Sequence, residues 1–177
     1  MKQLFSLPFA IACLLAVPGG ALANDYVTGS HATANVTIND AFNWVLITKA
    51  TVGILPVFDN DAHGCTVNAS ADVLWTGGGA ADVENRYRFV VIRNNTNPVT
   101  GLGTERTLAV VDHPGVNDPN YYAISTTGVS GGLTNNNGVS GGSEHTFYFL
   151  GRKVSASDPN VTVTDASLSV MCVDDTF

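Results

Sequence analysis

Basic side chains are scarce in this 177-residue sequence. Eight Lys and Arg residues stand against 15 Asp and Glu residues, which gives a formal net charge of −7. Nucleic acids and anionic membrane surfaces attract proteins through clustered positive charge. Because the sequence has no such cluster, we expect neither nucleic acid nor an anionic membrane among its partners.

Long apolar runs are also missing, except at the N-terminus. Lys2 precedes an apolar stretch over residues 4–17, and residues 21–23 (Ala-Leu-Ala) have the small residues of a cleavage site. This order predicts a secretory signal peptide over residues 1–23, with a lipidated Cys13 as the alternative. The stretch is shorter than the ~20 residues that span a membrane. We therefore expect an exported chain without membrane insertion that is extracellular, at the cell surface or periplasmic.

Cysteine is rare as well, with three residues in the whole sequence. Cys13 lies inside the predicted signal peptide, which leaves Cys65 and Cys172. An even pair of cysteines in an exported chain predicts a disulfide. Two buried free thiols are the alternative.

The sequence shows little of the three-and-four spacing of amphipathic helices, whereas alternation of apolar and polar residues is common. Residues 65–75 place an apolar side chain at every odd position, and residues 166–172 alternate in the same way. Alternation with a period of two is typical of strands with one buried face. About eight such segments, separated by short turns, predict an all-β fold. We expect an antiparallel β-sandwich, jelly-roll-like and closed by one disulfide.

The predicted domain organisation is simple. Residues 24–34 are polar and contain glycine, which indicates a flexible leader, and residues 35–177 predict a single β-sandwich domain. Within that domain, residues 43–48 and 50–55 predict two short strands. The motif Gly-Val-Ser-Gly-Gly at 128–132 recurs ten residues later and predicts a loop rich in glycine and asparagine.

No convergent set of catalytic residues is visible in the sequence. Both glycine repeats fit Gly-x-Ser-x-Gly, with Ser130 and Ser140 as nucleophiles, but that motif requires a strand before it and a helix after it. The four histidines occur singly, none of them two or four residues from another. A zinc site needs three or four converging ligands. We therefore predict that the protein is not an enzyme; a small serine hydrolase is the alternative.

Two kinds of ligand site remain as candidates. Calcium prefers carboxylate and carbonyl oxygens on loops, and Asp59 and Asp61 lie in an acidic turn that offers them; no other cofactor is predicted. Trp44, Tyr121 and Tyr122 are candidates for stacking on a sugar, with burial in the core as the alternative. Because Tyr121 and Tyr122 are adjacent in a predicted strand, they point to opposite faces, and one of them is expected to face solvent or a partner.

The C-terminal part of the sequence resembles a known family. The segment His-Thr-Phe-Tyr-Phe-Leu-Gly-Arg-Lys at 145–153 follows a glycine-rich stretch, and a last alternating strand covers residues 161–170. This order of strands resembles the C-terminal part of C1q/TNF-like jelly-roll modules, which also occur in bacterial surface proteins and tail-fibre tips. The resemblance implies a non-enzymatic, often trimeric module that binds through loops and sheet faces. The pair Cys65 and Cys172 departs from that family's pattern.

Together these observations favour a non-enzymatic, exported structural or adhesive protein that self-associates. Its expected partners are other copies of itself or a cell-surface glycan. The alternative function is a carbohydrate-binding module that uses loop aromatics and calcium. Fold resemblance alone does not choose between them, because one fold serves many functions.

Overall fold

A computed structural model describes residues 26–32, 35–54, 63–78, 82–97, 104–112, 119–133 and 143–174. Within these ranges the chain forms nine β-strands and no helix. The strands are β1 (Tyr26–Ala32), β2 (Val36–Ile38), β3 (Val45–Ile54), β4 (His63–Trp75), β5 (Glu84–Arg93), β6 (Arg106–Val111), β7 (Asn120–Leu133), β8 (Ser143–Lys153) and β9 (Val161–Asp174). The predicted all-β class is confirmed.

The strands form two antiparallel sheets that pack face to face. Sheet A has the order β1-β9-β4-β7, and β2 also pairs with β9; sheet B has the order β3-β8-β5-β6. The strand β1 pairs with residues 166–172 of β9 and β2 with residues 161–163, so β1 and β2 follow one another along the same edge of β9. Counted as one interrupted edge strand, they complete two four-stranded sheets. This order is that of a jelly roll, as predicted.

The core lies between the sheets and is built from the alternating positions of their strands. On sheet A, the odd residues of β4 from Cys65 to Trp75 are buried, as the sequence predicts, and the inward residues of β9 join them. Sheet B contributes four fully buried aromatic side chains: Tyr87, Phe89, Phe147 and Phe149. Burial of each phenylalanine stabilises the fold by about 1.5–3 kcal/mol relative to exposure. The ring of Trp75 meets that of Tyr87 edge to face, with centroids 6.1 Å apart.

The predicted disulfide is confirmed and joins the two central strands of sheet A near one of their ends. Cys65 of β4 and Cys172 of β9 are direct cross-strand partners, with an S–S distance of 2.09 Å. Both are buried, and 107 residues of sequence separate them. A disulfide of this kind is consistent with an oxidising extracellular or periplasmic location.

Residues 26–32, for which the sequence predicts a flexible leader, form β1 instead. They pair with β9 over seven successive residues. The prediction is wrong because strand pairing uses the backbone, which small polar residues supply as well as apolar ones. The inward Ser30 also finds a partner, since its hydroxyl lies 2.9 Å from that of Thr48 in sheet B.

Two further details differ from the sequence predictions. One strand, β3 (Val45–Ile54), takes the place of the separate strands predicted at 43–48 and 50–55, and its register with β8 shifts between Leu46 and Thr48. Such an irregularity changes the phase of the alternation and makes one strand look like two. The first glycine repeat, predicted as a loop, is part of β7, because the small side chain of Ser130 fits opposite the buried Cys65.

Candidate functional site

An apolar row crosses one end of the outer face of sheet A. Val27, Met171, Thr66 and Val129 come from four neighbouring strands and are successive cross-strand partners. The valines are 73% and 74% exposed and the methionine 49%. The fourth member, Thr66, is half-buried and contributes its methyl group beside its hydroxyl. Exposed apolar side chains aligned in this way mark contact surfaces.

The centre of the same face is polar and ordered by hydrogen bonds between side chains. The hydroxyl groups of Ser70 and Ser167 lie 2.8 Å apart, and Thr127 Oγ1 donates to Asn68 Oδ1 at 2.8 Å. These short side chains lose little rotamer entropy when a partner covers them, in contrast to Lys or Glu. The polar centre is therefore suited to contact with another surface.

Beside the polar centre lies a recess of about 170 Å³ that contains an acidic pair, Asp72 and Asp165. These two residues are direct cross-strand partners on β4 and β9, and both are exposed. His31 Nε2 lies 3.3 Å from Asp165 Oδ1. Like charges directly opposite one another destabilise a sheet, so the acidic pair is a cost in the isolated molecule.

Serine, histidine and aspartate meet on this face, but their arrangement differs from that of a hydrolase. In a catalytic triad the histidine lies between the serine and the carboxylate, and backbone donors face the reacting carbonyl. Here the hydroxyl of Ser167, the cross-strand partner of His31, is hydrogen-bonded to Ser70. Ser130 is buried on β7, while Ser140 lies outside the described residues.

The calcium candidates Asp59 and Asp61 also lie outside the described residues, so calcium at that turn stays a prediction. Among the residues that the structure does describe, no three His, Cys, Asp or Glu side chains come together in a group able to hold a metal. The same part of the chain contains no helix with the length and apolar character needed to cross a membrane.

The outer face of sheet B carries a second, small apolar cluster. Val90, Ile92 and Leu150 are buried there although they point away from the main core. Trp44 and Tyr148 cover them. The guanidinium of Arg152 lies 4.6 Å from the Trp44 ring centroid, a cation–π distance. Trp44 is a candidate for stacking on a sugar, but its side chain packs against this cluster and Arg152 lies over its ring.

Two arginines form a basic pair on this face. Arg88 of β5 and Arg152 of β8 are direct cross-strand partners. Arg88 Nε lies 3.4 Å from Glu105 Oε1, a partly exposed ion pair. The neighbouring Arg86 hydrogen-bonds Glu84 and holds the pKa of that carboxyl below its usual range. The basic pair has the same like-charge cost as the acidic pair on the opposite face.

A tight turn before β3 presents an exposed aromatic ring. Asp40 Oδ1 accepts the backbone N–H groups of Phe42 at 2.7 Å and Asn43 at 2.8 Å, and its Oδ2 accepts Asn43 Nδ2 at 2.9 Å. These bonds, led by the one from the Asn43 side chain, lower the pKa of Asp40. The Lys153 backbone N–H donates to Asp40 O at 2.9 Å and ties the turn to β8. Phe42 is 80% exposed on this ordered turn.

The adjacent tyrosines at the start of β7 face opposite sides of sheet A. Tyr121 is 66% exposed on the outer face, next to its partner Leu74, whereas Tyr122 packs against the core. Of the three aromatic candidates, Tyr121 therefore has the free ring that stacking on a sugar requires.

No protein-family model matches the sequence, and no curated protein matches it significantly. The resemblance to C1q/TNF-like modules stays a prediction.

Sequence reasoning missed the acidic pair, the basic pair and Phe42. The two pairs depend on strand register, which joins residues as distant in sequence as Asp72 and Asp165. For Phe42 a signal was present, because an aspartate two residues before an exposed position is typical of turns closed by an aspartate side chain.

Proposed function

We propose that the protein is an exported, non-enzymatic structural or adhesive component that self-associates. The observation that carries this proposal is the apolar row of Val27, Met171, Thr66 and Val129 across the outer face of sheet A. Contiguous exposed apolar surface is unfavourable in water and is characteristic of surfaces that another protein covers. Covering the row with a second copy of the chain removes these side chains from water.

The scaffold under the row suits a structural role. The disulfide between Cys65 and Cys172 joins the two central strands of sheet A, immediately below the row. A contact surface on such a rigid sheet needs little reorganisation when it binds, so little of the binding free energy is lost to ordering. The polar centre beside the row has the same advantage because its side chains are already hydrogen-bonded to one another.

The test is the mass in solution of the exported, purified protein over a range of concentrations, measured by size exclusion with light scattering. We expect assemblies larger than a monomer. Replacing Val27 and Val129 by Ser should lower the assembled fraction at a given concentration. Val154→Ser is the matched control, because Val154 is an exposed valine in the turn after β8, outside the row. A wild-type protein that stays monomeric at every concentration would contradict the proposal.

A carbohydrate-binding module is the second candidate, and the exposed ring of Tyr121 favours it. Aromatic rings on a rigid sheet stack against the apolar faces of sugars, and Phe42 offers a further exposed ring. A glycan array probed with wild-type protein and with Tyr121→Ala, each with and without calcium, tests this candidate. Glycan binding by the wild type that disappears in the variant would support this candidate. The absence of any bound glycan would rule it out.

A further inference from the structure

Positive charge is confined to one of the two sheets. The seven Lys and Arg residues that follow the predicted signal peptide all lie in the strands of sheet B, whereas the described strands of sheet A contain none. These residues are Lys49, Arg86, Arg88, Arg93, Arg106, Arg152 and Lys153. The charged residues within the strands of sheet A are Asp72, Asp165 and Asp174. The two sheets therefore differ in the sign of their charge.

Each outer face carries one cross-strand pair of like charge, and the outer face of sheet B also carries Lys49, Arg86, Glu84 and Glu144. Asp72 lies directly opposite Asp165 on sheet A, and Arg88 lies directly opposite Arg152 on sheet B. Both arrangements are unfavourable in an isolated sheet, since like charges on facing residues repel. The same molecule thus carries two local repulsions of opposite sign, one on each side of the sandwich.

Contacts inside the molecule relieve these repulsions only in part. His31 lies 3.3 Å from Asp165 Oδ1 but is charged only when protonated. The ion pair between Arg88 and Glu105 has both side chains 40% exposed, and such pairs contribute little in water. A surface of opposite charge would relieve both pairs more fully.

We propose that copies of this protein stack head to tail, with the acidic pair of one copy against the basic pair of the next. This inference rests on the proposed self-association and names the surfaces that carry it. The contact joins two different faces, so it is heterologous, and its repetition closes a ring or extends an open filament. Every interior copy then has both of its like-charged pairs opposite charges of the other sign.

Both faces also carry exposed apolar side chains. The apolar row lies on the same face as the acidic pair, and Leu46 and Val111 are exposed on the face of the basic pair. With strands ~4.8 Å apart and ~3.3 Å per residue, the strand lengths give an outer face of roughly 800 Å² on sheet A and roughly 600 Å² on sheet B. The smaller face of sheet B limits the contact, which therefore lies toward the lower end of specific interfaces, below the ~800 Å² that each partner buries in a standard one.

The test exchanges the charges between the two faces. Asp72→Lys with Asp165→Lys makes both faces basic, and Arg88→Glu with Arg152→Glu makes both faces acidic. Each double variant alone should have the mass of a monomer under conditions in which the wild type assembles. An equimolar mixture of the two should assemble again, because the basic face of one variant then meets the acidic face of the other.

Two controls separate this effect from a change of net charge or of folding. Thr96→Glu with Asn97→Glu, and Thr96→Lys with Asn97→Lys, change the net charge in the exposed turn after β5, beyond the end of that strand that lies farther from the pair of Arg88 and Arg152, and should leave assembly unchanged. Arg86→Glu with Arg88→Glu keeps the contact between Arg152 and Trp44. It should lose assembly in the same way as Arg88→Glu with Arg152→Glu. Near-ultraviolet circular dichroism checks that each variant is folded.

Salt provides an independent measurement. Raising the salt from about 0.1 M to about 1 M shortens the screening length from ~10 Å to ~3 Å and should shift the wild type toward monomers. If the charge variants assemble as well as the wild type does, face-to-face stacking is wrong, although the proposed self-association is not contradicted. Variants that do not assemble even when mixed would also overturn it. A wild type that is monomeric at low salt would overturn both proposals.

Discussion

Removing the disulfide should destabilise the protein mainly through the unfolded state. The bond closes a loop whose ends are 107 residues apart. For a loop of that length the chain-entropy model gives about 16 cal/mol/K, or about 4.8 kcal/mol at 25 °C. We therefore expect Cys65→Ala with Cys172→Ala to lower the free energy of unfolding by several kcal/mol. This is a large part of the stability of a typical domain.

Urea unfolding followed by the fluorescence of the buried Trp75 measures this change. The slope of the free energy against urea should also rise, because an unfolded chain without the cross-link exposes more surface. The matched control is Val67→Ala with Val170→Ala, since these valines form a buried cross-strand pair of the same two strands and carry no bond. The control should lower stability without changing the slope and should still respond to a reductant. If the reduced wild type is as stable as the oxidised wild type, or if the slope of the cysteine variant does not rise, the loop-entropy reasoning is wrong.

Five single substitutions test the packing and the electrostatics, each by urea unfolding. Gly151→Ala should cost about 1–3 kcal/mol because the new Cβ would meet Ile and Phe side chains at 2.9–3.2 Å, whereas Gly53→Ala, with no atom within 4 Å, should change stability little. Thr104→Val should cost about 1–3 kcal/mol because it leaves a buried N–H of β5 without its acceptor. Burial raises the pKa of Tyr87 in the folded protein. The stability that the protonated Tyr87 contributes is therefore complete below pH 10, the ordinary pKa of tyrosine being about 10, and is lost as the pH rises above that value. Tyr87→Phe should remove this loss of stability at alkaline pH. A wild type that loses no stability at alkaline pH would contradict the burial argument. Asp72→Asn should stabilise the monomer by a few tenths of a kcal/mol, since it removes a like-charge contact; a loss of stability would show that the acidic pair is not repulsive.

Much of the fold could be predicted because its central strands carry strong patterns. Residues 65–75 and 166–172 alternate cleanly, and both cysteines fall on the apolar side of their strands. Two half-buried antiparallel strands with one cysteine each leave few arrangements other than a cross-strand bond. The structure has that bond between β4 and β9.

The edges of the sheets could not be predicted as well, for a physical reason. An edge strand such as β1 has one neighbour and little buried surface, so its sequence is free to be polar and rich in small residues. The strand β7 includes Gly-Val-Ser-Gly-Gly because the space beside the disulfide requires small side chains on the inward positions. Composition alone indicates a loop in both cases.

The candidate surfaces depend on register, which composition does not contain. A shift of one residue between β4 and β9 would move Asp72 to the inner face and separate it from Asp165. The same holds for Arg88 and Arg152 on sheet B. The confinement of positive charge to one sheet, in contrast, follows from the sequence once the strands have been assigned to sheets.

A jelly roll offers two routes to self-association, and they differ in the groups that make the contact. As the edge strand of sheet A among the described strands, β7 would pair through backbone hydrogen bonds, and its sequence has none of the charged residues or prolines that usually block an edge. The outer faces would pair through side chains, so their charges determine the partner. Because backbone hydrogen bonds do not depend on side-chain charge, exchanging the charges of the two faces distinguishes the routes. The acidic and basic pairs favour the faces, since a second copy relieves both repulsions in one contact, whereas pairing along β7 would leave both in place.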